Sequence, residues 1–425
     1  MTQELQQNGS AEKITGGREQ RPSPLDALIY EQSGLVVGAI LHLTGAPARG
    51  DELCAHVTER LSALPSLSVV MVGEGLAAQW VQRRPQVDQH IREHELAVGG
   101  SVEEATRELS RAPFPADAPR WDLTVIHGYA PDRYAIFYRA HHGLQDGGAV
   151  AHTVETLFSA DPVPIEQSSG VVRALTDPAA PSWRDKVGAL KFLARTTATT
   201  DLWPHPTYRY SQERALNWSA VPTEVLRSAG RRYGGTANDA YVTSVARTFA
   251  GWTAVHATHA SRSLPLSIAL NIRRPVDVAT PGNQTLAGRV IVPDPGMPIA
   301  SVLPATIEAD RLLKSATHRE ALRRLIQGAP RRLVNMSMSA LLAPERGAIF
   351  CSNVAFRHPL QWQGSAVSAI DPLVLLPLGA PAAALLYSYR GRSSTVFVTD
   401  PALPQMDDLH TVWQREAHQL AESDT

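Results

Sequence analysis

The stretch from Trp121 to Phe158 combines three local patterns that constrain the fold more than any other part of the chain. Two strand-like runs, WDLTVIHGY and RYAIFYRA, are separated by the turn residues APD, as in a hairpin. Directly after them comes HHGLQDGG, and beyond it Val150, Val154 and Leu157 recur at helical spacing. The sequence therefore predicts a strand, a histidine-bearing loop and a helix, which is a unit of layered α/β structure.

The rest of the chain has the same mixed character and divides at a change of composition. Strand-like runs occur at VVGAILHL, PLSIALNI, GRVIVP, GAIFCSNVAF, ALLYSYR and STVFVTD, with amphipathic helical patterns between several of them. The intervening stretch is rich in Pro, Ser, Thr and Asp and holds one short helical pattern, Trp183–Arg195. We predict an α/β (α+β) protein with a disordered tail at 1–22, an N-terminal lobe at 23–158, a crossover linker with a short helix at 159–214 and a C-terminal lobe at 215–425.

Charge and cysteine content exclude several classes of protein. The formal net charge is −1, so no basic excess is available to hold nucleic acid. Cys54 and Cys351 are the only cysteines in the sequence, which excludes a disulfide scaffold and cysteine-based zinc sites. The polar N-terminus lacks the apolar segment of a signal peptide, and the apolar window Ala369–Tyr387 contains three prolines, which favours buried strands over a membrane span. A cytoplasmic protein is expected.

The histidine pair His141–His142 is open to three interpretations: a catalytic base, a metal site or a loop with incidental histidines. Adjacent side chains point in different directions, so the two rings do not suit one metal ion, and His152 stands far along the next helix. No metal site is expected. A position between strand and helix, followed by a carboxylate and two glycines, favours an imidazole presented on a rigid scaffold as a general base.

HHGLQDG resembles the HHxxxDG signature of the chloramphenicol acetyltransferase-like superfamily. The closest resemblance is to its wax ester synthase/diacylglycerol acyltransferase branch, because further elements occur in the expected order. These are SPLDALIY, TANDAYVTSVARTFAGW, LNIRRP…GN, SNV and LLYSYRGRSSTVFVTDPAL. SNV continues as AFRHP where that branch has PGP, and a DFGWG segment of the plant enzymes is missing from the sequence. The resemblance implies two chloramphenicol acetyltransferase-like lobes, each a mixed sheet flanked by helices, with an active-site channel between them.

The resemblance also implies roles for individual residues. His142 corresponds to the general base, and His141 packs behind it. Asp146 turns away from His142 and pairs with Arg273, so it is structural, and Gly147 gives room for the backbone. Ser352 is a candidate donor to the oxyanion, with a serine that bonds its own backbone as the alternative. Candidate substrate-binding residues are Asn238, Asp239 and Asn353, although the first two also suit the start of a helix.

The activity that the resemblance implies is transfer of an acyl group from coenzyme A, or from a carrier-protein thioester, to the hydroxyl of a small-molecule acceptor. Acyl-CoA or the acyl carrier is a co-substrate, and a tightly bound cofactor is not expected. HHxxxDG serves alcohols and amines alike, so amide formation or condensation on a carrier-bound substrate stays open as an alternative. A non-catalytic recruitment module is a further alternative, which would require the intact motif to be vestigial.

Overall fold

The computed structural model describes residues 21–172, 175, 179–196, 198–200, 202–203, 211, 213–257, 263–334, 336, 348–375 and 380–422. Its helices are α1 (Pro24–Tyr30), α2 (Gly50–Arg60), α3 (Val102–Arg111), α4 (Gly147–Phe158), α5 (Trp183–Thr196), α6 (Thr223–Arg232), α7 (Ala237–His256), α8 (Ile299–Lys314), α9 (Ala316–Gly328) and α10 (Leu409–Glu422). Its strands are β1 (Val36–Thr44), β2 (Val69–Val72), β3 (Gln79–Gln82), β4 (Ile91–Glu95), β5 (Trp121–Ala130), β6 (Arg133–His141), β7 (Ala215–Pro222), β8 (Ser263–Asn271), β9 (Thr285–Pro293), β10 (Ile349–Ala355), β11 (Gln361–Trp362), β12 (Ser365–Val374), β13 (Ala382–Tyr389) and β14 (Arg392–Thr399).

The first sheet has six strands in the order β11-β12-β1-β6-β5-β4. The predicted hairpin is present as β5 and β6, which pair antiparallel with Trp121 opposite Ala140. The β6 strand is buried along almost its whole length, because it lies inside the sheet between β1 and β5 and alternates large side chains on both faces. The strand ends at His141, and α4 begins six residues later at Gly147.

The second sheet also has six strands, in the order β7-β14-β13-β10-β8-β9. Its central strand β10 pairs parallel with both β13 and β8, whereas the outer pairs are antiparallel. The helices α7 and α10 pack together beside it, with Phe249 and Trp413 fully buried in the second core cluster. One apolar core surrounds the first sheet and also includes Leu385, Tyr387 and Val396 from one face of the second sheet. A second core covers the other face of the second sheet.

The segment Gln361–Val374 corrects the predicted lobe boundaries. The sequence predicts that this segment belongs to the C-terminal lobe, yet β12 pairs antiparallel with β1, and Ile40 lies opposite Asp371 in the first sheet. The chain then returns to the second sheet as β13. The apolar window Ala369–Tyr387 therefore supplies two buried strands that belong to different sheets. Local sequence does not reveal this, because strand partners are selected by packing between residues hundreds of positions apart.

A buried carboxylate links β12 to both sheets. The Asp371 carboxylate lies 2.7 Å from His42 Nε2 in β1 and accepts a hydrogen bond of 2.6 Å from Arg392 Nη1 in β14. Burial would raise the pKa of Asp371, but these partners and Ser394 hold it well below its usual range. The ionised carboxylate therefore connects β12 to strands of both lobes.

The predicted crossover linker and tail lie partly outside the described residues. Helix α5 occurs at the position of the helical pattern predicted in the linker. Of the predicted tail, residues 1–20 lie outside the described part, and Pro22 accepts a hydrogen bond of 2.9 Å from Arg331 through its carbonyl. Within the described ranges, no helix combines the length and the hydropathy that a membrane crossing needs.

A loop of the second lobe, residues 272–284 between β8 and β9, reaches across to the first lobe; we call it the crossing loop. Gly282 donates its N–H to the carbonyl of Leu144 at 2.7 Å, and Gln145 forms an isolated parallel bridge with Gly282. Gly282 has a φ of +90°, and a side chain there would lie 2.5 Å from Asp26, so only glycine fits this approach. The histidine loop is thus held by both lobes.

Candidate active site

His142 is fixed through its main chain on two sides. Its N–H donates to the carbonyl of Leu35 at 2.9 Å, and its carbonyl accepts from Asn283 Nδ2 in the crossing loop at 2.8 Å. Its imidazole lines the cavity between the lobes, and Nδ1 is buried without a hydrogen-bond partner among the described residues. The ring is therefore presented to the cavity by a backbone that the first strand and the crossing loop hold in place.

His141 points away from the cavity. Its Nε2 lies 2.9 Å from the carbonyl of Gln32 and must be the donor, because Nδ1 accepts the N–H of Gly143 at 3.1 Å. Burial lowers the pKa of His141 to about 4, so the ring is neutral near pH 7 and has one defined tautomer. The ring also packs against Tyr30, with centroids 5.0 Å apart. His141 thus anchors the end of β6 behind the cavity.

Asp146 bonds to the helix and the crossing loop rather than to His142. It is the N-cap of α4, where Oδ1 accepts the N–H of Ala149 at 2.8 Å and Arg273 Nη2 at 3.1 Å. Its Oδ2 accepts the N–H of Gln284 at 2.7 Å and the hydroxyl of Thr285 at 3.0 Å. Burial would raise the pKa of this carboxyl, but Arg273 and the three other donors together keep it below the usual range.

Arg273 is completely buried and organises the crossing loop around itself. Besides Asp146, its guanidinium donates to the carbonyls of Asp277 at 2.9 Å, Thr280 at 3.2 Å and Gly282 at 3.0 Å. A buried guanidinium needs both a counter-charge and acceptors for its donors. Asp146 and the loop carbonyls provide them for both terminal nitrogens, while Nε has no partner among the described residues. The ion pair predicted from the resemblance is present and holds the loop in its shape.

The glycines of the motif allow close backbone approach at the start of α4. A side chain on Gly148 would lie 2.9 Å from the carbonyl oxygen of Gly170, and one on Gly147 would lie 3.2 Å from Val354. Gln145, between them and the histidines, is fully buried, accepts the Tyr138 hydroxyl at 2.7 Å and donates to Thr153 at 3.0 Å. The loop is therefore packed tightly around Gln145, while Gly147 and Gly148 line the cavity.

The cavity encloses about 570 Å³, which is the size of many small-molecule sites. Its wall is mainly apolar and comes from both lobes. The first lobe contributes Leu25, Ile29, Leu35 and His142, and the second contributes Val242, Ile268, Leu270 and Phe350. An apolar cavity with one imidazole on its wall suits a substrate that carries a hydrocarbon chain.

The structure places two of the three predicted substrate-binding residues and the predicted oxyanion donor at the cavity. Ser352 and Asn353 follow one another on β10, and Asn238 lies in the first turn of α7. All three line the cavity, and Asn353 Nδ2 donates to Asn238 Oδ1 at 3.2 Å. These residues bring polar groups of the second sheet to the same cavity as His142.

Asp239 does not line the cavity, which corrects its predicted substrate-binding position. Its carboxylate turns back to cap α7, where it accepts the N–H of Thr236 at 2.6 Å, and it also accepts Lys314 Nζ at 2.5 Å. The side chain is fully buried. The alternative given for this residue, a position at the start of a helix, accounts for this orientation, because Thr236 and Asp239 form a capping box.

An acid and a base beside Asp239 do reach the cavity wall, namely Asp310 and Lys314 of α8. Lys314 Nζ lies 2.9 Å from Asp310 Oδ1. Burial and the neighbouring Asp239 raise the pKa of Asp310 to about 7. This end of the cavity is therefore polar and titrates near neutral pH. Across the described residues, no three His, Cys, Asp or Glu side chains cluster as a metal-binding group.

Sequence reasoning missed two residues, Asp26 and Asn283. Asp26 is buried in α1 and accepts both the N–H and the side-chain amide of Asn283 at 2.8 Å. Burial raises its pKa, although the bonds from Asn283 and Ser23 oppose that shift. Asn283 in turn donates to the carbonyl of His142, so Asp26 supports the backbone of His142 through Asn283. Asp26 is the one charged residue of SPLDALIY, which was an available signal, whereas Asn283 is one of several polar residues in LNIRRP…GN and has no such signal.

Comparison with known proteins gives a consistent result. The model of the wax ester synthase/diacylglycerol acyltransferase catalytic domain matches residues 37–201. A protein of Mycobacterium tuberculosis (strain ATCC 25618 / H37Rv), named as a diacylglycerol O-acyltransferase, is 27% identical over 233 residues, 51% of this chain and 50% of that protein. These matches confirm the resemblance. The matched region spans about half the length of such curated relatives of the wax ester synthase/diacylglycerol acyltransferase branch.

Solved structures show the same fold. The wax ester synthase/diacylglycerol acyltransferase from Marinobacter aquaeolei VT8 aligns with a TM-score of 0.59 at 14% identity, covering 94% of this chain and 98% of that one. The first condensation domain of the CDA synthetase aligns with a TM-score of 0.62 at 16% identity, covering 96% of each chain. The starter condensation domain of rhizomide synthetase, solved with C8-CoA, also gives 0.62, at 14% identity over 94% of this chain and 93% of that one. The predicted two-lobed α/β fold is confirmed.

Proposed function

We propose that the protein is an O-acyltransferase that moves an acyl group from an acyl-CoA thioester to the hydroxyl of a small-molecule acceptor. The observation that carries the proposal is the imidazole of His142 on the wall of an apolar cavity between the lobes, held by main-chain bonds from both. The match to the wax ester synthase/diacylglycerol acyltransferase catalytic domain supports the reaction class. The complex of a related fold with C8-CoA supports a thioester as the donor.

In the proposed reaction His142 accepts the proton of the acceptor hydroxyl as its oxygen attacks the thioester carbonyl carbon. The tetrahedral oxyanion then collapses, the carbon–sulfur bond breaks, and the imidazolium returns its proton to the departing thiolate. Ser352 is the proposed donor to the oxyanion, because its position on β10 brings a hydroxyl to the same cavity. Binding both substrates in one cavity turns a bimolecular transfer into a local one. Asp146 takes no part in proton transfer, since its oxygens are occupied by other donors.

The test is acyl transfer by the purified protein and its His142→Ala variant. The enzymes are incubated with octanoyl-CoA or palmitoyl-CoA and a panel of alcohols, amines and diacylglycerol. Thiol release is followed spectrophotometrically, and products are identified by mass spectrometry. We expect ester products and a fall of about 10² to 10⁴ in rate for His142→Ala. His127→Ala, a half-buried histidine outside the cavity wall, is the control and should keep full activity.

The result separates the alternatives. Amide products in place of esters would reassign the acceptor class, as for the condensation domains that share the fold. Full activity in a normally folded His142→Ala protein would refute the assigned base. Failure to release thiol with every acceptor and acyl donor would favour a non-catalytic module. Ser352→Ala is expected to lower kcat by ~10² to 10³ with little effect on folding, as loss of an oxyanion donor does elsewhere.

A further inference from the structure

Helix α5 has two faces of opposite character. Ala189, Phe192 and Thr196 are buried and hold the helix against the second lobe. The Phe192 ring lies edge-on to His318 of α9, with centroids 5.6 Å apart. These three positions recur at helical spacing, so they define one inward face. The opposite half of the helix is exposed.

The centre of the exposed half is apolar. Trp183 is 69% exposed, Val187 42% and Leu190 62%, and Ala194 is exposed as well. At about 100° per residue, these four side chains fall within an arc of about 60°, opposite the inward face. An apolar stripe of this size on the surface needs an explanation, because single exposed apolar residues are common but aligned ones are not.

Basic side chains flank the apolar stripe on both sides. Lys186 lies on one side, and Arg184, Lys191 and Arg195 lie on the other, all exposed. Arg184 also lies over the Trp183 ring, 5.5 Å from its centroid. The sequence has only four lysines, and two of them are on this helix.

The acid of α5 is turned inward. Asp185 accepts the N–H and hydroxyl of Ser182 and the hydroxyl of Thr317 in α9. Within α5, the exposed half therefore carries four basic and four apolar side chains and no carboxylate. The protein as a whole has a net charge of −1, so this basic face is a local concentration.

The inward face of α5 rests on the strand that forms part of the cavity wall. A side chain on Gly288 of β9 would collide with the Phe192 ring, and the N–H of Arg289 donates to Thr196 Oγ1 at 3.3 Å. The neighbours of Gly288, Ala287 and Arg289, line the cavity. The exposed face and the cavity are thus on opposite sides of the same helix and strand.

We propose that the exposed face of α5 docks on a membrane surface that contains anionic lipid. A single convex helix with an apolar stripe between basic rows has the pattern of a helix that lies in the headgroup region. The apolar side chains would enter the acyl boundary, and the lysines and arginines would remain at the phosphates. A membrane fits better than an acidic protein partner, because the stripe is convex and flanked on both sides rather than forming a groove. Docking there would place the cavity wall next to a source of lipid acyl acceptors.

The test is flotation of the whole protein with vesicles of phosphatidylcholine alone or with an equimolar amount of phosphatidylglycerol. We expect binding to the anionic vesicles to be at least about tenfold stronger and to weaken as salt is raised. Trp183→Ser/Leu190→Ser should lower binding to anionic vesicles about tenfold, and Lys186→Gln/Lys191→Gln should do the same. Val98→Ser/Val255→Ser, which changes exposed valines elsewhere, is the matched control and should bind like the unmodified protein.

Equal binding by the control and both α5 variants would overturn the proposal, as would failure of the unmodified protein to float with anionic vesicles. Capture by an acidic carrier protein, with no vesicle binding, would assign the face to a protein partner and would also overturn it. The proposal is separable from the proposed activity. Both α5 variants should turn over a water-soluble thioester and a short alcohol at the unmodified rate, while losing activity on vesicle-bound diacylglycerol.

Discussion

Replacing Asp146 by Asn tests whether this residue is structural or catalytic, because the substitution keeps the shape but removes the charge and one acceptor oxygen. One carboxylate oxygen faces Ala149 N–H and Arg273, and the other faces Gln284 N–H and the Thr285 hydroxyl. Whichever position the amide nitrogen takes, two donors lose their acceptor. Arg273, which is fully buried, also loses its counter-charge.

The expected cost is about 3–5 kcal/mol in the free energy of unfolding, the range for breaking one partner of a buried pair. Thr285→Val is the matched variant, because it removes one neutral donor to the same carboxylate, and it should cost about 1 kcal/mol. Chemical denaturation followed by circular dichroism measures both values. A second variant, Asp146→Asn/Arg273→Met, removes both charges and should recover part of the loss.

Activity distinguishes the two roles. If Asp146 is structural, the folded fraction of Asp146→Asn at low temperature retains activity within about tenfold, because His142 keeps its bonds to Leu35 and Asn283. A protein with unchanged stability and a loss of about 10³ or more in kcat would refute the reasoning and would make Asp146 a partner of the base.

Three further changes follow from the same geometry. Asn283→Ala removes the side-chain bonds to Asp26 and to the His142 carbonyl, whereas the N–H of residue 283 still donates to Asp26. We expect kcat to fall about tenfold and the free energy of unfolding to fall by about 1–3 kcal/mol. An unchanged kcat in a steady-state assay would contradict the positioning role. The pKa of Asp310 is raised to about 7, so the contribution of this residue to stability is present at low pH and is lost as pH rises through that value. Asp310→Asn should therefore gain stability relative to the unmodified protein, on the order of 1 kcal/mol, between about pH 5 and about pH 8. Denaturation midpoints of the two proteins that change in parallel with pH would contradict this prediction. Gly170→Ala would place a carbon 2.3 Å from the Gly148 carbonyl oxygen and should lower the free energy of unfolding by about 1–3 kcal/mol. Gly147→Ala faces only a side-chain methyl and should lower it less. Thermal melts that show equal losses for the two variants would contradict this ranking.

The features that the sequence predicted are those that depend on residues close to one another in the chain. The β5–β6 hairpin, the start of α4 and the start of α7 each depend on residues within a few positions of one another. The motif resemblance extended this to the pairing of Asp146 with Arg273, which lie 127 positions apart. Without that resemblance, the spacing alone would not have distinguished a structural carboxylate from a catalytic one.

The features that the sequence did not predict depend on distant packing. The membership of β12 in the first sheet is determined by β1, more than 300 positions away. The sequence presents Asp26 only as part of the SPLDALIY element. Its role as acceptor for Asn283 exists only when the crossing loop meets α1. The prediction that Asp239 binds substrate is wrong because the sequence does not reveal the direction of its side chain, which turns back to cap α7.

Because β12 comes late in the chain but belongs to the first sheet, the first sheet can be completed only late in biosynthesis. When a ribosome has released the first lobe and the linker, β1 has β6 on one side but an unpaired edge on the other, since its partner lies at Ser365–Val374. Such an edge is a template for pairing with other chains. The nascent protein therefore passes through a period in which its first sheet is open, and His142 lacks the support of Asn283 until the crossing loop has emerged. The nascent chain should therefore need chaperones until β12 has emerged. Truncated chains that end before residue 374 should aggregate rather than accumulate as a folded first lobe.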